Sequence, residues 1–285
     1  MHGQIRPGRR SSRFVVAFAA ALLAGLAAAP AAAQPDLVSH SELRVCADPN
    51  DLPFSNDKRE GFENKIADLV AKDLNEPVSY VWFPQTVGFV RNTLLKNRCD
   101  VVMGTVAGGA MMDDTNPYYH SAYMIVTRAA DGIGATMLAD PAFADKRIGL
   151  IAGTPPTDLL RQDELLAHAV PYSLEVDTRY DAPSRQMLHD LADGKLDVAL
   201  VWGPFAGYYI AHDKLPLHAA FLASEPGAPR LDYHIAMGVR PGDGAWRRTL
   251  NRSIAKHQDE ITKLLLAYGI PLLDEQNRPL GGPPH

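Results

Sequence analysis

Past its first 33 residues the sequence has no apolar run long enough to span a membrane, no excess of positive charge and only two cysteines. Each shortage excludes something. Without about 20 consecutive strongly apolar residues there is no helical membrane span. Without a basic balance, nucleic acid and anionic membrane surfaces are poor partners. None of the ten histidines is paired with another at i, i+4 spacing beside a carboxylate, so no metal site is written in the helical pattern. Neither cysteine has a His or Asp companion at nucleophile spacing. The Gly-rich run from Gly104 to Gly109 lacks the Lys-Ser/Thr ending of a phosphate loop.

What is present begins with an export leader. Residues 1–33 carry four arginines and no acid, then an alanine- and leucine-rich run from Phe14 to Ala29, then Ala31-Ala32-Ala33 before Gln34. This pattern predicts a signal peptide cleaved after Ala33 and a mature chain in the periplasm. The 28 basic residues less those four leave 24 against 33 acidic, a net charge near −9. Export makes a disulfide between Cys46 and Cys99 plausible chemistry. Cys46 falls in a predicted first strand and Cys99 at the start of another, and neighbouring parallel strands would bring them within bonding reach. The alternative is two buried thiols acting as small apolar residues.

Periodicity gives an α/β chain. Ile66, Leu69, Val70 and Leu74 form an apolar helical stripe that Pro77 ends. Val78–Phe83 reads as a strand, Gly88–Asn97 as a helix and Asp100–Gly104 as a buried strand. A second unit repeats the plan: strand Arg147–Ala152, helix Thr157–Leu166, strand Tyr172–Val176, helix Ser184–Ala192 and strand Asp197–Trp202. A strand at Tyr233–Val239 and a long helix at Trp246–Tyr268 follow. Strands alternating with helices predict mainly parallel sheets flanked by helices, one in each of two lobes. The expected division is leader 1–33, first lobe 34–125 and 225–275, second lobe 126–224, and a disordered Pro/Gly-rich tail 276–285.

The order of these motifs resembles the type II periplasmic binding proteins. The carriers are Leu43-Arg44-Val45-Cys46-Ala47-Asp48-Pro49 with Leu52-Pro53-Phe54, Gly61-Phe62-Glu63-Asn64-Lys65-Ile66-Ala67, Asn116-Pro117-Tyr118-Tyr119 and Gly153-Thr154. That family implies two lobes joined by two hinge strands, near Tyr123–Thr127 and Tyr233–Val239, with the final helix returning to the first lobe. Narrower details, Trp82-Phe83-Pro84-Gln85, Gly88-Phe89-Val90-Arg91-Asn92-Thr93-Leu94 and the cysteine pair, resemble the J-type accessory proteins of methanol dehydrogenase gene clusters. This resemblance implies a non-enzymatic protein without a cofactor of its own. It would mature or activate a PQQ-dependent quinoprotein methanol dehydrogenase by binding the apo form, with the enzyme's cytochrome c as a second candidate partner. The motifs do not decide between the calcium and lanthanide enzymes; the lanthanide version is the expected one.

Amino-acid receptors of this fold hold their ligand between an arginine and a carboxylate, because a guanidinium fork matches a carboxylate in two hydrogen bonds. Counting along this sequence puts Gly108 and Trp202 at those two places, so an amino-acid ligand is not expected. The remaining cleft candidates are Phe54, Trp82, Phe89, Tyr118, Tyr119 and Trp202, with Thr105 and Thr154 as donors and Arg91 and Arg179 as cations. That set predicts an aromatic, neutral cleft, although aromatics at strand ends also serve as ordinary core. Two other readings stand beside the accessory one. A transport receptor would take a small neutral or aromatic solute. A dehydratase-like enzyme would use Asp48 or Glu63 as a base, yet nothing pairs either with a second catalytic group.

Overall fold

The computed structural model describes residues 3–4 and 37–281. The predicted cleavage point, and the leader apart from Gly3 and Gln4, lie outside the described residues. Among the described residues no helix is long and apolar enough to cross a membrane.

The chain opens with β1 (Leu43–Ala47), a small ribbon of β2 (Asn50–Asp51) and β3 (Ser55–Asn56), and α1 (Phe62–Leu74). β4 (Val78–Trp82), a single-turn α2 (Phe89–Asn92), β5 (Val101–Val106) and a two-residue β6 (Asp113–Asp114) lead to the long β7 (Tyr119–Arg128). The second unit runs β8 (Ile148–Ile151), α3 (Pro155–Gln162), β9 (Ala169–Tyr172), α4 (Pro183–Ala192), β10 (Val198–Trp202), α5 (Gly203–His212) and β11 (Leu217–Phe221). β12 (Asp232–Val239), α6 (Gly244–Ala267) and a hairpin of β13 (Leu272–Leu273) with β14 (Pro279–Leu280) close the chain.

Each lobe is built on three parallel strands, β4-β1-β5 in the first and β9-β8-β10 in the second. β7 and β12 run antiparallel to these and join them. Tyr119–Ala122 of β7 pair with β12, whereas Tyr123–Val126 pair with β10, so one strand changes lobes between Ala122 and Tyr123. The return crossing lies beside it: Tyr123 N–H donates to Leu231 O at 2.9 Å, and Asp232 is opposite Ala122. From Ile235 onward β12 pairs with β5 of the first lobe.

Packing explains why the last helix returns. Leu250, Ile254, Ile261 and Leu265 of α6 share one buried cluster with Phe62, Ile66 and Val70 of α1. Each such side chain contributes about 1.5–3 kcal/mol by leaving water. In the second lobe, Met124 and Val126 face α4 and α5, while Ile125 faces α3 and Phe143. This alternation covers both faces of the sheet. Cys46 and Cys99 form a disulfide with Cα atoms 5.4 Å apart, tying β1 to the turn before its parallel neighbour β5.

Several elements depart from the sequence reading. The predicted helix over 88–97 breaks after Asn92, where Thr93 Oγ1 donates to Phe89 O at 2.6 Å and competes with helical pairing. The strand expected at Tyr172–Val176 ends at Tyr172, and the following residues form a loop. α5 was not expected. It opens with Gly203-Pro204 and is apolar on most sides, so it lacks a one-faced stripe. Its glycines admit neighbours no side chain would allow: a Cβ on Gly207 would sit 2.0 Å from Gly269 O. The tail departs as well, as far as the described residues reach: Leu272 and Leu273 pair with Leu280 and Pro279, while residues 282–285 lie outside the described residues. Asp274 holds that turn, accepting from Gln276 N–H, Arg278 N–H and the Arg278 guanidinium.

Candidate functional site: the cleft between the lobes

A cleft of about 960 Å³ lies between the lobes, at the carboxyl ends of the parallel strands. The loop after β1, the first turn of α1, the α2 turn and the end of β5 form one wall. The 173–178 loop, the end of β10 and α5 form the other, and β7 and β12 form the back.

Aromatic rings span it. Phe54 meets Phe205 edge-on across the lobes with centroids 5.1 Å apart, and Phe205 lies parallel to Tyr209. Trp202 leans on Tyr123 at 5.5 Å and Tyr233 at 5.9 Å. At the mouth, Val87, Val106, Met111 and Leu174 line the cleft while staying 70%, 45%, 46% and 53% exposed.

Polar contacts bind the two walls together. The Asp48 carboxylate, 1% exposed, accepts from Asn50 N–H at 2.8 Å and Gln85 N–H at 2.6 Å within its own lobe. It also accepts from Thr178 Oγ1 of the other lobe at 2.8 Å. Asn50 Nδ2 donates to Thr178 O, Val87 N–H to Glu175 Oε2, and the Tyr209 hydroxyl to Leu52 O at 2.7 Å. These contacts join the two lobes across the cleft.

Two other carboxyls in the cleft have no such partners. Among the described residues, neither Asp51 nor Glu63 makes a side-chain hydrogen bond or ion pair, although both line the cavity. Glu63 stands in the first turn of α1, with its carboxyl over the backbone of Gly104. A Cβ at Gly104 would be 2.1 Å from Glu63 Oε1, so only glycine leaves this space. Burial pushes the Asp51 carboxyl up to about 8, with Asp48 repelling it further. Burial likewise pushes Glu63 up to about 8, helped by Asp51 and then Asp48. The neutral cleft expected from sequence therefore has acids in its wall, held mostly protonated near neutral pH.

Of the residues singled out in the sequence, Phe54, Phe89, Arg91, Thr105, Tyr119, Thr154 and Trp202 line this cavity. Phe89 and Tyr119 are largely packed into its wall, at 5% and 7% exposure. Thr154 has already committed its hydroxyl proton to Ile151 O at 2.6 Å. Three do not line the cleft. Trp82 stacks flat on Tyr80 at 4.5 Å along β4, against the first-lobe core. Tyr118 is core, its hydroxyl donating to Met103 O. Arg179 forks onto Asp177 at 2.9 and 2.6 Å on the surface. Gly108 lies outside the lining, its N–H donating to Asp114 Oδ2, while Trp202 stands in the wall. Phe205 and Tyr209 escaped the sequence reading because α5 did; they are four apart on one helical face. Among the described residues, no group of three or more His, Cys, Asp or Glu is placed to hold a metal ion.

Two lobes on parallel strands, two crossing strands and a cleft between them define a solute-binding-protein architecture. The chain belongs to the bacterial extracellular solute-binding proteins, family 3, which it matches over residues 43–269. It is 30% identical over 302 residues to Protein MoxJ of Methylorubrum extorquens strain AM1, covering 94% of this chain and 98% of that one. The crystal structure of the periplasmic binding protein XoxJ from Methylobacterium extorquens AM1 superposes with a TM-score of 0.71. It is 39% identical, covering 82% of this chain and all of that one. MxaJ from Methlophaga aminisulfidivorans MPT gives a TM-score of 0.73 at 26% identity, covering 81% and 100%. The chain is thus similar to J-type proteins over nearly the whole of their length.

Proposed function

We propose that this protein is a periplasmic accessory of a PQQ-dependent methanol dehydrogenase of the lanthanide type, and that its cleft receives a segment of the apo enzyme. Likeness to MoxJ, XoxJ and MxaJ supports the dehydrogenase system as the setting. The observation that carries the kind of partner is the mouth of the cleft. Val87, Val106, Met111 and Leu174 are exposed apolar side chains around one opening, an arrangement costly to leave in water and suited to a protein surface. Behind them, Phe54, Phe205 and Trp202 supply rings of the type that anchor interfaces. A loop or helix of the apo enzyme seated here would be held out of place until cofactor and metal enter. The cytochrome c of the same system is the second candidate partner.

Capture of purified dehydrogenase, apo and loaded, tests this directly. Wild-type protein retains the apo form, and Trp202→Ala weakens retention by about 2 kcal/mol, roughly thirtyfold. Equal failure to retain either form, with normal dehydrogenase activity in cells lacking this protein, overturns the reading. Family membership and a volume of about 960 Å³ favour one other reading, a receptor for a small neutral or aromatic solute. Under it, such a solute raises the melting temperature and the dehydrogenase does not bind.

A further inference from the structure

The acids in this cleft point to a chemical feature of whatever occupies it. We propose that the protein segment seated in the cleft is apolar along its length and presents one lysine or arginine, which Asp51 and Glu63 receive. This rests on the reading of the cleft as the seat of a partner segment and adds to it the charge that segment carries.

Three independent observations support it. The first is the absence of any partner on Asp51 and Glu63 among the described residues. Every other acid in contact with this wall that bridges the lobes is satisfied, as Asp48 and Glu175 are. The second is the field. Asp48 repels both carboxyls and Asp51 repels Glu63, and among the described residues no cation is paired with either. Two arginines line the cavity, but Arg185 is forked onto Asp213 at 2.8 and 3.1 Å, and Arg91 is exposed on α2. A pair of carboxyls without an internal counter-charge can ionise against a cation from outside and is complementary to it in that form. The third is the path inward. The exposed apolar mouth leads to Phe54, Phe205 and Tyr209, whose faces accommodate the aliphatic stem of a lysine or a guanidinium plane. A long basic side chain on an apolar backbone segment fits all three features.

The groups facing the pair are Asp48, with Tyr209 beside Asp51 and Tyr118 and Tyr119 beside Glu63. Because both carboxyls hold their protons up to about 8, an entering cation displaces a proton. Affinity therefore rises with pH from 6 to about 9, and one protonic equivalent or less is released at pH 7.

The test uses the mature protein and two probes, an acetylated Leu-Phe-Lys-Phe-Leu amide and the same peptide with norleucine in place of lysine, titrated calorimetrically at pH 6, 7 and 8.5. The lysine peptide is expected to bind at least about tenfold more tightly at pH 8.5, a difference of about 1.4 kcal/mol. The gap narrows at pH 6 and falls below about threefold in the Asp51→Asn/Glu63→Gln protein. Comparison of two buffers with different ionisation heats reads the released proton. Equal affinity for the two peptides overturns the inference while leaving a segment-binding cleft intact. No binding of either peptide also overturns it, and capture of the apo dehydrogenase then decides separately whether the cleft reading survives. Binding of n-butylamine as tightly as the lysine peptide assigns the acids to a small amine and overturns the segment. Tighter binding of a tricarboxylate quinone does the same. Should the double variant fail to fold, the wild-type peptide pair and its pH trend decide alone.

Discussion

Two sets of carboxyls in the first lobe, one buried at its base and one half-buried beside the cleft, have opposite surroundings. At the base of the first lobe Asp100, 1% exposed, accepts from the Arg240 guanidinium at 2.8 Å, from Arg44 at 2.6 and 2.7 Å and from Ser39 N–H. Its backbone carbonyl accepts from the Trp246 indole at 3.0 Å, fastening α6 to the start of β5. In the cleft, Asp51 and Glu63 have none of this. A fold that needs an acid for its structure surrounds it with cations, because a desolvated charge is otherwise costly. Where unpaired acids persist beside a cavity, their cost is more readily understood as kept for a ligand.

Removing each set therefore has opposite consequences. The largest effect is expected from Asp100→Ala, which removes the carboxylate that Arg44 and Arg240 share, leaves Arg240 only Asp243, and costs about 3 kcal/mol. Urea unfolding at pH 7 measures it; a loss under about 1 kcal/mol would make the network an incidental one. Glu63→Gln has the reverse sign. A carboxyl whose folded value is raised contributes stability at low pH that is lost as pH climbs from about 4.5 through about 8. The variant is thus equal to wild type near pH 4.5 and more stable at pH 9, by about 1–2 kcal/mol after allowance for water reaching the cleft. A parallel pair of stability–pH profiles would show that the Glu63 carboxyl is not desolvated. The smallest effect is expected from Tyr209→Phe, which removes one hydroxyl bond to Leu52 O across the lobes. It changes global stability by about 1 kcal/mol but shifts the population towards an open cleft, read as a larger radius of gyration in solution scattering.

The same contrast marks how much was legible in the sequence. The parallel strands were, because β1, β5, β8 and β10 are buried apolar runs between helical stripes, and so was the pairing of Cys46 with Cys99. Trp202 stood out in the sequence by a count along the family's clamp positions, and it lines the cleft. Features that arise from close approach were not. α5 has no one-sided stripe to betray it, and with it went Phe205 and Tyr209. Asp51 looks like an ordinary polar residue in the sequence, and Glu63 stands out there only as a candidate base, not as the second member of a pair in the cleft. Whether an aromatic turns inward depends on neighbours far away in sequence, as with Trp82, which lies on Tyr80 instead of facing the cleft. The C-terminal hairpin forms because Asp274 gathers three donors from a Pro/Gly-rich stretch that composition alone marks as unstructured.

Amide hydrogen exchange of this protein with and without the apo dehydrogenase tests the central claim most directly. Binding through the cleft predicts slowed exchange at residues 48–54, 85–91 and 173–178, the three segments that meet across its mouth, with little change on α6. Slowing confined to α6 or to the outer faces of the lobes, with the mouth unchanged, would contradict it.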